Sequence, residues 1–235
     1  MKLLALILFA PLALAQLEPR ALELLEKAKQ VHGGAAWDGL KSYRETAKYI
    51  YLNSAGEAQM VLEVRIKADF GRGRLRVEYL QEGKPTQIVQ ATPELAQSWT
   101  PQSSTVRLPP SQAKSLRDSL WQGWYGLRLG GKGRDKTLLG SAKSLQGVVG
   151  QELMVQTRGA LATYYFASNG TLLAELDANP QLGDLLILYE DYRPTEGLRL
   201  PYRQRVYSGN VLFATVETLE LWLNPELGEG EFRLP

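Results

Sequence analysis

One histidine and no cysteine limit the chemistry open to this 235-residue chain. Without cysteine there is no thiolate nucleophile, iron–sulfur cluster, cysteine-based zinc site, disulfide or cysteine-linked lipid anchor. His32 falls at the end of a predicted helix, where an imidazole can hydrogen-bond the terminal carbonyls. It has no His-x-x-x-His partner, and neither an Asp-rich calcium loop nor a Gly-x-Ser-x-Gly elbow occurs, so metal-dependent and serine-hydrolase chemistry lack their motifs. Asp177, Asp184, Glu190 and Asp191 are the acids that could supply a carboxylate pair, which glycoside hydrolysis needs about 5 to 10 Å apart. Acids beside turns are more often solvated, and this hydrolase reading ranks third.

Two basic, glycine-rich stretches, Gly71-Arg-Gly-Arg74 and Gly130-Gly-Lys-Gly133 with Arg134 and Lys136, lack the strand-to-helix spacing of a phosphate loop. They read as loops carrying solvated charge, although a strip of Arg65, Lys67, Arg72, Arg74 and Arg76 could attract an anionic head group or an acidic partner. Asn169-Gly170-Thr171 matches a glycosylation sequon, but hairpin-turn chemistry accounts for the same residues. With 27 Lys and Arg against 25 Asp and Glu, the near-neutral balance gives no argument for nucleic acid. No cofactor motif is present, and no cofactor is expected.

The elements that position these residues follow from periodicity. Pro19 opens an amphipathic helix over 19–32 that Gly33-Gly34 ends, and a short turn follows at Trp37–Leu40. Period two then takes over. Residues 43–52 make a first strand and Asn53–Gly56 its turn. Met60, Leu62, Val64, Ile66 and Ala68 alternate with Val61, Glu63, Arg65, Lys67 and Asp69, and Leu75, Val77 and Tyr79 alternate with Arg74, Arg76 and Glu78. Short gaps between strands favour an antiparallel meander. A strand at 86–90 and loops around one short strand over 92–110 precede a helix from Ser111 through Leu116, Leu120, Trp121, Trp124 and Leu127, followed by a glycine link at 130–133. Strands are expected at 148–157, 160–167, 171–176, 184–191, 200–208 and 211–223, with hairpin turns at Asn169-Gly170 and Ser208–Asn210.

Met1-Lys2, the apolar run Leu3–Ala15 and the small residues of Ala13-Leu14-Ala15 predict a cleaved secretion signal at residues 1–15. The run falls short of the about 20 residues that span a bilayer. Residues 16–235 are then a single exported domain, soluble in a periplasm-like compartment and expected to be monomeric.

Large apolar residues occupy faces that a thin sheet would leave uncovered. Tyr49, Tyr51, Leu62, Val64, Ile66, Val77, Tyr79, Trp99, Trp121, Trp124 and Tyr165 are the candidate walls of an apolar cavity for acyl chains. A filled core, with the protein acting as an interaction or scaffold module for another envelope protein, predicts the same alternation.

Two segments carry a resemblance. Ala21-Leu-Glu-Leu-Leu-Glu-Lys-Ala-Lys-Gln-Val-His-Gly-Gly34, continuing to Trp37 and Leu40–Tyr43, resembles the opening of bacterial outer-membrane lipoprotein-sorting proteins of the LolA/LolB-like group. Leu188–Arg193, Glu196–Tyr202, Val206–Gly209 and Leu223-Asn-Pro225 are similar to the closing hairpins of that group. The resemblance implies an α+β, mostly β fold: a curved antiparallel sheet, an incomplete β-barrel covered by helices, that carries lipoprotein acyl chains or another hydrophobic ligand in the periplasm without catalysis. It further implies an inward arginine that helps control closed and open forms. Arg44, Arg65 and Arg76 are the strand candidates for that gate or for a head-group contact.

Overall fold

The computed structural model describes residues 17–179 and 183–235, so the expected signal at 1–15 lies outside the described residues. Helix α1 spans Pro19–Val31, with Pro19 at its first turn, where the missing amide costs nothing. A 3₁₀ turn at Gly34–Gly39 leads into strands β1 (Ser42–Leu52), β2 (Ala58–Asp69), β3 (Arg74–Gln81), β4 (Lys84–Ala91), β5 (Ala96–Thr100) and β6 (Ser104–Arg107). Helix α2 (Pro110–Asp118) and two 3₁₀ turns, Ser119–Trp121 and Trp124–Leu129, separate these from β7 (Lys136–Leu145), β8 (Val148–Thr157), β9 (Ala160–Phe166), β10 (Leu172–Asn179), β11 (Gly183–Thr195), β12 (Leu198–Ser208) and β13 (Val211–Leu223).

These strands form one 13-stranded sheet in the order β6-β5-β4-β3-β2-β1-β13-β12-β11-β10-β9-β8-β7, and every pairing is antiparallel. The expected mostly-β fold, an unclosed antiparallel sheet with few helices, is therefore the observed one. Four hairpins turn on a residue followed by glycine, both left-handed: Glu82-Gly83, Gln146-Gly147, Arg158-Gly159 and Glu196-Gly197. This geometry matches the twist of the flanking strands and fixes their register.

β1 and β13, the first and last strands, pair at the middle of the sheet, with Tyr49 opposite Val216. The two edges, β6 and β7, are neighbours in sequence, and the segment between them crosses the open side as a lid. The β7 edge is partly covered: Leu17 forms a parallel bridge to Thr137, and the Glu18 carboxylate accepts the Leu139 amide at 2.8 Å. Every residue of β6 is exposed.

The core sits at one end of the sheet, where Ala21, Leu25 and Ala28 of α1 meet Trp37, Tyr43, Trp124, Leu127, Tyr164, Phe166 and Leu200. His32 is 1% exposed and ties this end together. Its Nδ1 donates to the Arg199 carbonyl at 2.9 Å, and its Nε2 accepts the Leu172 amide at 3.0 Å. It thus bonds β10 and β12 across the sheet, and this cross-linking replaces the expected bond to its own helix end.

Three expectations for the middle of the chain need correction. Two strands, β5 and β6, stand where one was expected between the prolines. No element is expected between the glycine link at 130–133 and the strand at 148–157, yet β7 stands there, a largely exposed edge strand without apolar alternation. The single long helix after Ser111 is broken after Asp118, because Gly123 has φ 68° and a Cβ on Gly126 would lie 2.8 Å from the Trp121 carbonyl. The apolar spacing of Leu116, Leu120, Trp124 and Leu127 therefore comes from a shorter helix followed by tight 3₁₀ turns.

Candidate functional site: a tyrosine and carboxylate-lined cleft under the lid

Strand alternation decides which side chains face the lid. Tyr43, Glu45, Ala47, Tyr49 and Tyr51 of β1 share a face with Leu62, Val64 and Ile66 of β2, because directly paired residues of antiparallel strands lie on the same side. The same face continues through Leu75, Val77 and Tyr79 of β3 and Val89 of β4. On the other half of the sheet it includes Glu175 and Asp177 of β10, Ile187 and Tyr189 of β11, and Gln204 of β12.

Beside the packed end, this face encloses a cleft of about 510 Å³ between the sheet and α2, walled by Tyr49, Ile66, Val77, Tyr79, Leu116 and Tyr125 among others. A smaller recess of about 160 Å³ shares Tyr43, Tyr49, Ile66, Tyr125 and Asp177 with it and reaches Glu45, Glu175, Tyr189 and Gln204. Sheet and lid thus enclose both a filled core and a cavity.

The lid is held by polar contacts that satisfy its exposed backbone. Arg128 lies over the rings of Phe70 and Trp121, at 3.9 and 4.9 Å, and donates to the carbonyls of Leu120 and Tyr125. Burial lowers its pKa to about 10. Arg134 donates to Gly126 O, Gly130 O and Thr157 Oγ1. Glu175 anchors the lid from beneath: Oε1 accepts the Gly123 amide at 3.0 Å and Oε2 the Tyr189 hydroxyl at 2.8 Å. Burial pushes this carboxyl up to about 7, although both hydrogen bonds favour the charged form. Burial likewise raises Glu45, against the bond from Thr218, and Asp177, with Asp184 adding to the rise. The cavity tyrosines are raised for the same reason, Tyr79 to about 12.

Of the eleven residues expected to wall a cavity, Tyr49, Ile66, Val77 and Tyr79 line the cleft, and Trp124 lines the recess. Tyr51, Leu62 and Val64 lie on the same face of β1 and β2. Trp121 packs under Arg128 and against Arg158 in the lid. Trp99 and Tyr165 need correction. Trp99 pairs with Ile88, whose side chain points away from the cleft because its neighbour Val89 points in. Tyr165 lies on the convex face, covered with Leu186, Leu188 and Tyr207 by Leu145 and Val148 at the end of the β7–β8 hairpin.

The three arginines expected to gate the cavity also face outward. Arg44 bonds Glu231 at 2.9 Å, Arg76 bonds Glu78 and the Arg233 carbonyl at 2.6 Å each, and Arg65 bonds Glu63. Arg44 and Arg76, together with Lys67, which reaches Glu231 at 3.0 Å, and Arg74, which lies 4.5 Å over the Phe232 ring, seat the C-terminal segment around the 3₁₀ turn Glu229–Phe232 on the outer face. The expected carboxylate group is dispersed as well: Glu190 pairs with Arg205, Asp191 pairs with Arg193 and Asp184 is exposed, lining neither space, which leaves Asp177 as its one member on the cleft wall. Glu45 and Glu175 were missed. For Glu45 the signal was a charged residue on an otherwise apolar stripe, between Tyr43 and Ala47; Glu175 shares its face with Asp177, opposite Ala174 and Leu176, and carried no such signal.

No family profile matches this sequence, and no curated protein matches it. Its fold is nevertheless shared by solved structures. A LolA superfamily protein from Nitrosomonas europaea superposes with a TM-score of 0.60 at 14% identity, covering 91% of this chain and 97% of the other. A DUF1329 family protein from Desulfovibrio piger gives 0.60 at 12% identity, with 91% and 96% covered. A domain from Vibrio parahaemolyticus described as an outer membrane lipoprotein-sorting protein gives 0.58 at 10%, also with 91% and 96% covered. The fold is LolA-like.

Proposed function

We propose that this chain is an exported binding or carrier protein that shelters an acyl chain or another apolar ligand in the cleft beneath its lid, making and breaking no covalent bond. The observation that carries this reading is the cleft of about 510 Å³, which lies within the range of small-molecule sites and whose aliphatic and aromatic walls are interspersed with Gln87, Gln112, Ser115, Ser119 and Asp177. Binding draws on buried apolar area, about 25 cal/mol per Å² before the cost of ordering ligand and lid. The fold shared with a LolA superfamily protein supports the reading. His32, held by two structural hydrogen bonds, is not free for acid–base work. The apolar run at residues 3–15 supports export, and no helix among the described residues is long and apolar enough to cross a membrane.

Native mass spectrometry of protein purified from its own cell envelope, paired with titration of an uncharged fluorescent naphthylamine probe, tests the proposal. A co-purifying apolar molecule and a saturable probe site that Val77→Trp blocks are expected. Protein that carries no lipid and binds no probe overturns it.

A further inference from the structure

Among the described residues, the ionisable groups lining the cleft and its recess are all acids or phenols: three carboxyls, Glu45, Glu175 and Asp177, and a set of tyrosines, with no Lys, Arg or His. The arginines of β1 to β3 face the opposite side of the sheet. Arg134 is committed to lid carbonyls, and Arg128 to the carbonyls of Leu120 and Tyr125 and the rings of Phe70 and Trp121, so that neither guanidinium is itself part of the lining.

The carboxyls differ in what they have left to offer. Glu175 uses both oxygens, one on Gly123 and one on Tyr189. Glu45 is 5% exposed and spends Oε1 on the Thr218 hydroxyl at 2.7 Å. Its Oε2 takes no hydrogen bond from the described residues, and the residue lines the recess. The second oxygen opens onto the recess and can accept from a donor, or pair with a positive charge, that arrives there. The acids do not gather as metal ligands, since no group of three His, Cys, Asp or Glu among the described residues could hold a metal ion. An anionic head group would be buried beside like charges with no counter-charge. A cationic one would meet Glu45, Asp177 and the faces of Tyr43, Tyr49 and Tyr125.

We infer that the cleft selects an amphiphile with a protonated amine head, seated at Glu45, and an alkyl or similarly apolar body lying along Ile66, Val77 and Tyr79, and that it rejects chains headed by carboxylate or phosphate. This inference rests on the apolar-ligand reading above and names the class of ligand.

The test is displacement of an uncharged naphthylamine dye from the full protein by decylamine, decanol, decanoate and decyl phosphate, each below its micelle concentration. Decylamine is expected to bind about tenfold or more tightly than decanol and the two anions. Glu45→Gln should bring the ratio of decylamine to decanol affinity down to about one. Asp177→Asn, at the wall shared by cleft and recess, gives a second test should Glu45→Gln fail to fold, and it should weaken decylamine selectively. Decanoate or decyl phosphate binding as well as decylamine overturns the inference but leaves the apolar-ligand reading standing. So does a preference for the amine that survives in every folded variant. Failure of the dye and all four chains to bind overturns both.

Discussion

The Tyr189 hydroxyl donates to Glu175 Oε2 at 2.8 Å, from the strand next to that of its acceptor, while the other carboxylate oxygen holds the Gly123 amide of the lid. One buried acid therefore connects the sheet to the turn that closes the cleft. Its folded pKa, about 7, lies above the ordinary 4.5, because burial outweighs the two hydrogen bonds. A carboxyl raised on folding favours the folded state fully below its unfolded value, and that contribution is lost as pH rises through the folded value. The shift corresponds to at most about 3 kcal/mol. Melting curves at pH 5 and pH 8 should show wild type losing stability over this interval by a component that Glu175→Gln lacks. Equal slopes in the two proteins would refute this account of the acid.

His32 acts in the opposite direction. Burial holds its pKa below 6.5, so the neutral ring is the folded form, and stability present above the unfolded value is lost as pH falls through the folded value. His32→Ala orphans the Leu172 amide and opens a cavity beside Tyr192, at a cost of about 2 to 4 kcal/mol. Urea midpoints at pH 7.5 should fall accordingly. The variant should also lose the acid-side decline that wild type shows between pH 6.5 and 5.

Gly126 cannot carry a side chain without moving the lid. A Cβ there would stand 2.4 Å from the Tyr164 hydroxyl and 2.8 Å from the Trp121 carbonyl. Gly126→Ala is expected to destabilise by about 1 to 3 kcal/mol. Adding Tyr164→Phe should recover only part of this, because the backbone carbonyl stays. Near-ultraviolet circular dichroism, sensitive to Trp121 and Trp124, should report the displaced lid.

Because Arg44, Arg65 and Arg76 face outward, replacing each by Ala should leave probe affinity within about twofold. The exposed Arg65–Glu63 and half-exposed Arg44–Glu231 pairs contribute about 0 to 1 kcal/mol each, whereas Arg76, 8% exposed, costs more stability when truncated. Removing residues 226–235 should cost more, since it also strips buried Phe232 and Leu227 from the convex face. Probe titration and thermal melts on the same samples separate the two effects, and a tenfold loss of affinity in an arginine variant would contradict the outward placement.

Much of this was legible in sequence wherever one periodicity ruled alone. Alternation through 43–52, 60–69 and 75–79 gives β1 to β3, and the same parity that turns Val64, Ile66 and Val77 inward turns Arg65 and Arg76 outward, so the gate role conflicted with the pattern that defined the strands. Trp99 was misplaced because β5 is five residues long and flanked by turns, too short for parity to be read without its partner Ile88. The broken lid was hidden because apolar residues three and four apart suit successive 3₁₀ turns as well as one helix, and the decisive crowding at Gly126 involves Tyr164, distant in sequence. Glu45 looked like an interruption of an apolar stripe and Glu175 like a solvated acid two residues before Asp177; their role depends on Thr218, Gly123 and Tyr189, contacts that only the assembled sheet creates.

The order of the strands has a mechanical consequence. With β1 and β13 joined at the centre and β6 and β7 at opposite margins, the lid is a bowstring fastened to both tips of a bent sheet. It cannot swing away like a flap hinged on one side. Widening the cleft must either pay out chain from the 3₁₀ turns or flatten the bow, so occupancy of the cleft and curvature of the whole sheet become one variable. Spectroscopic labels on β6 and β7 should therefore move apart when the cleft fills, although neither strand touches what fills it.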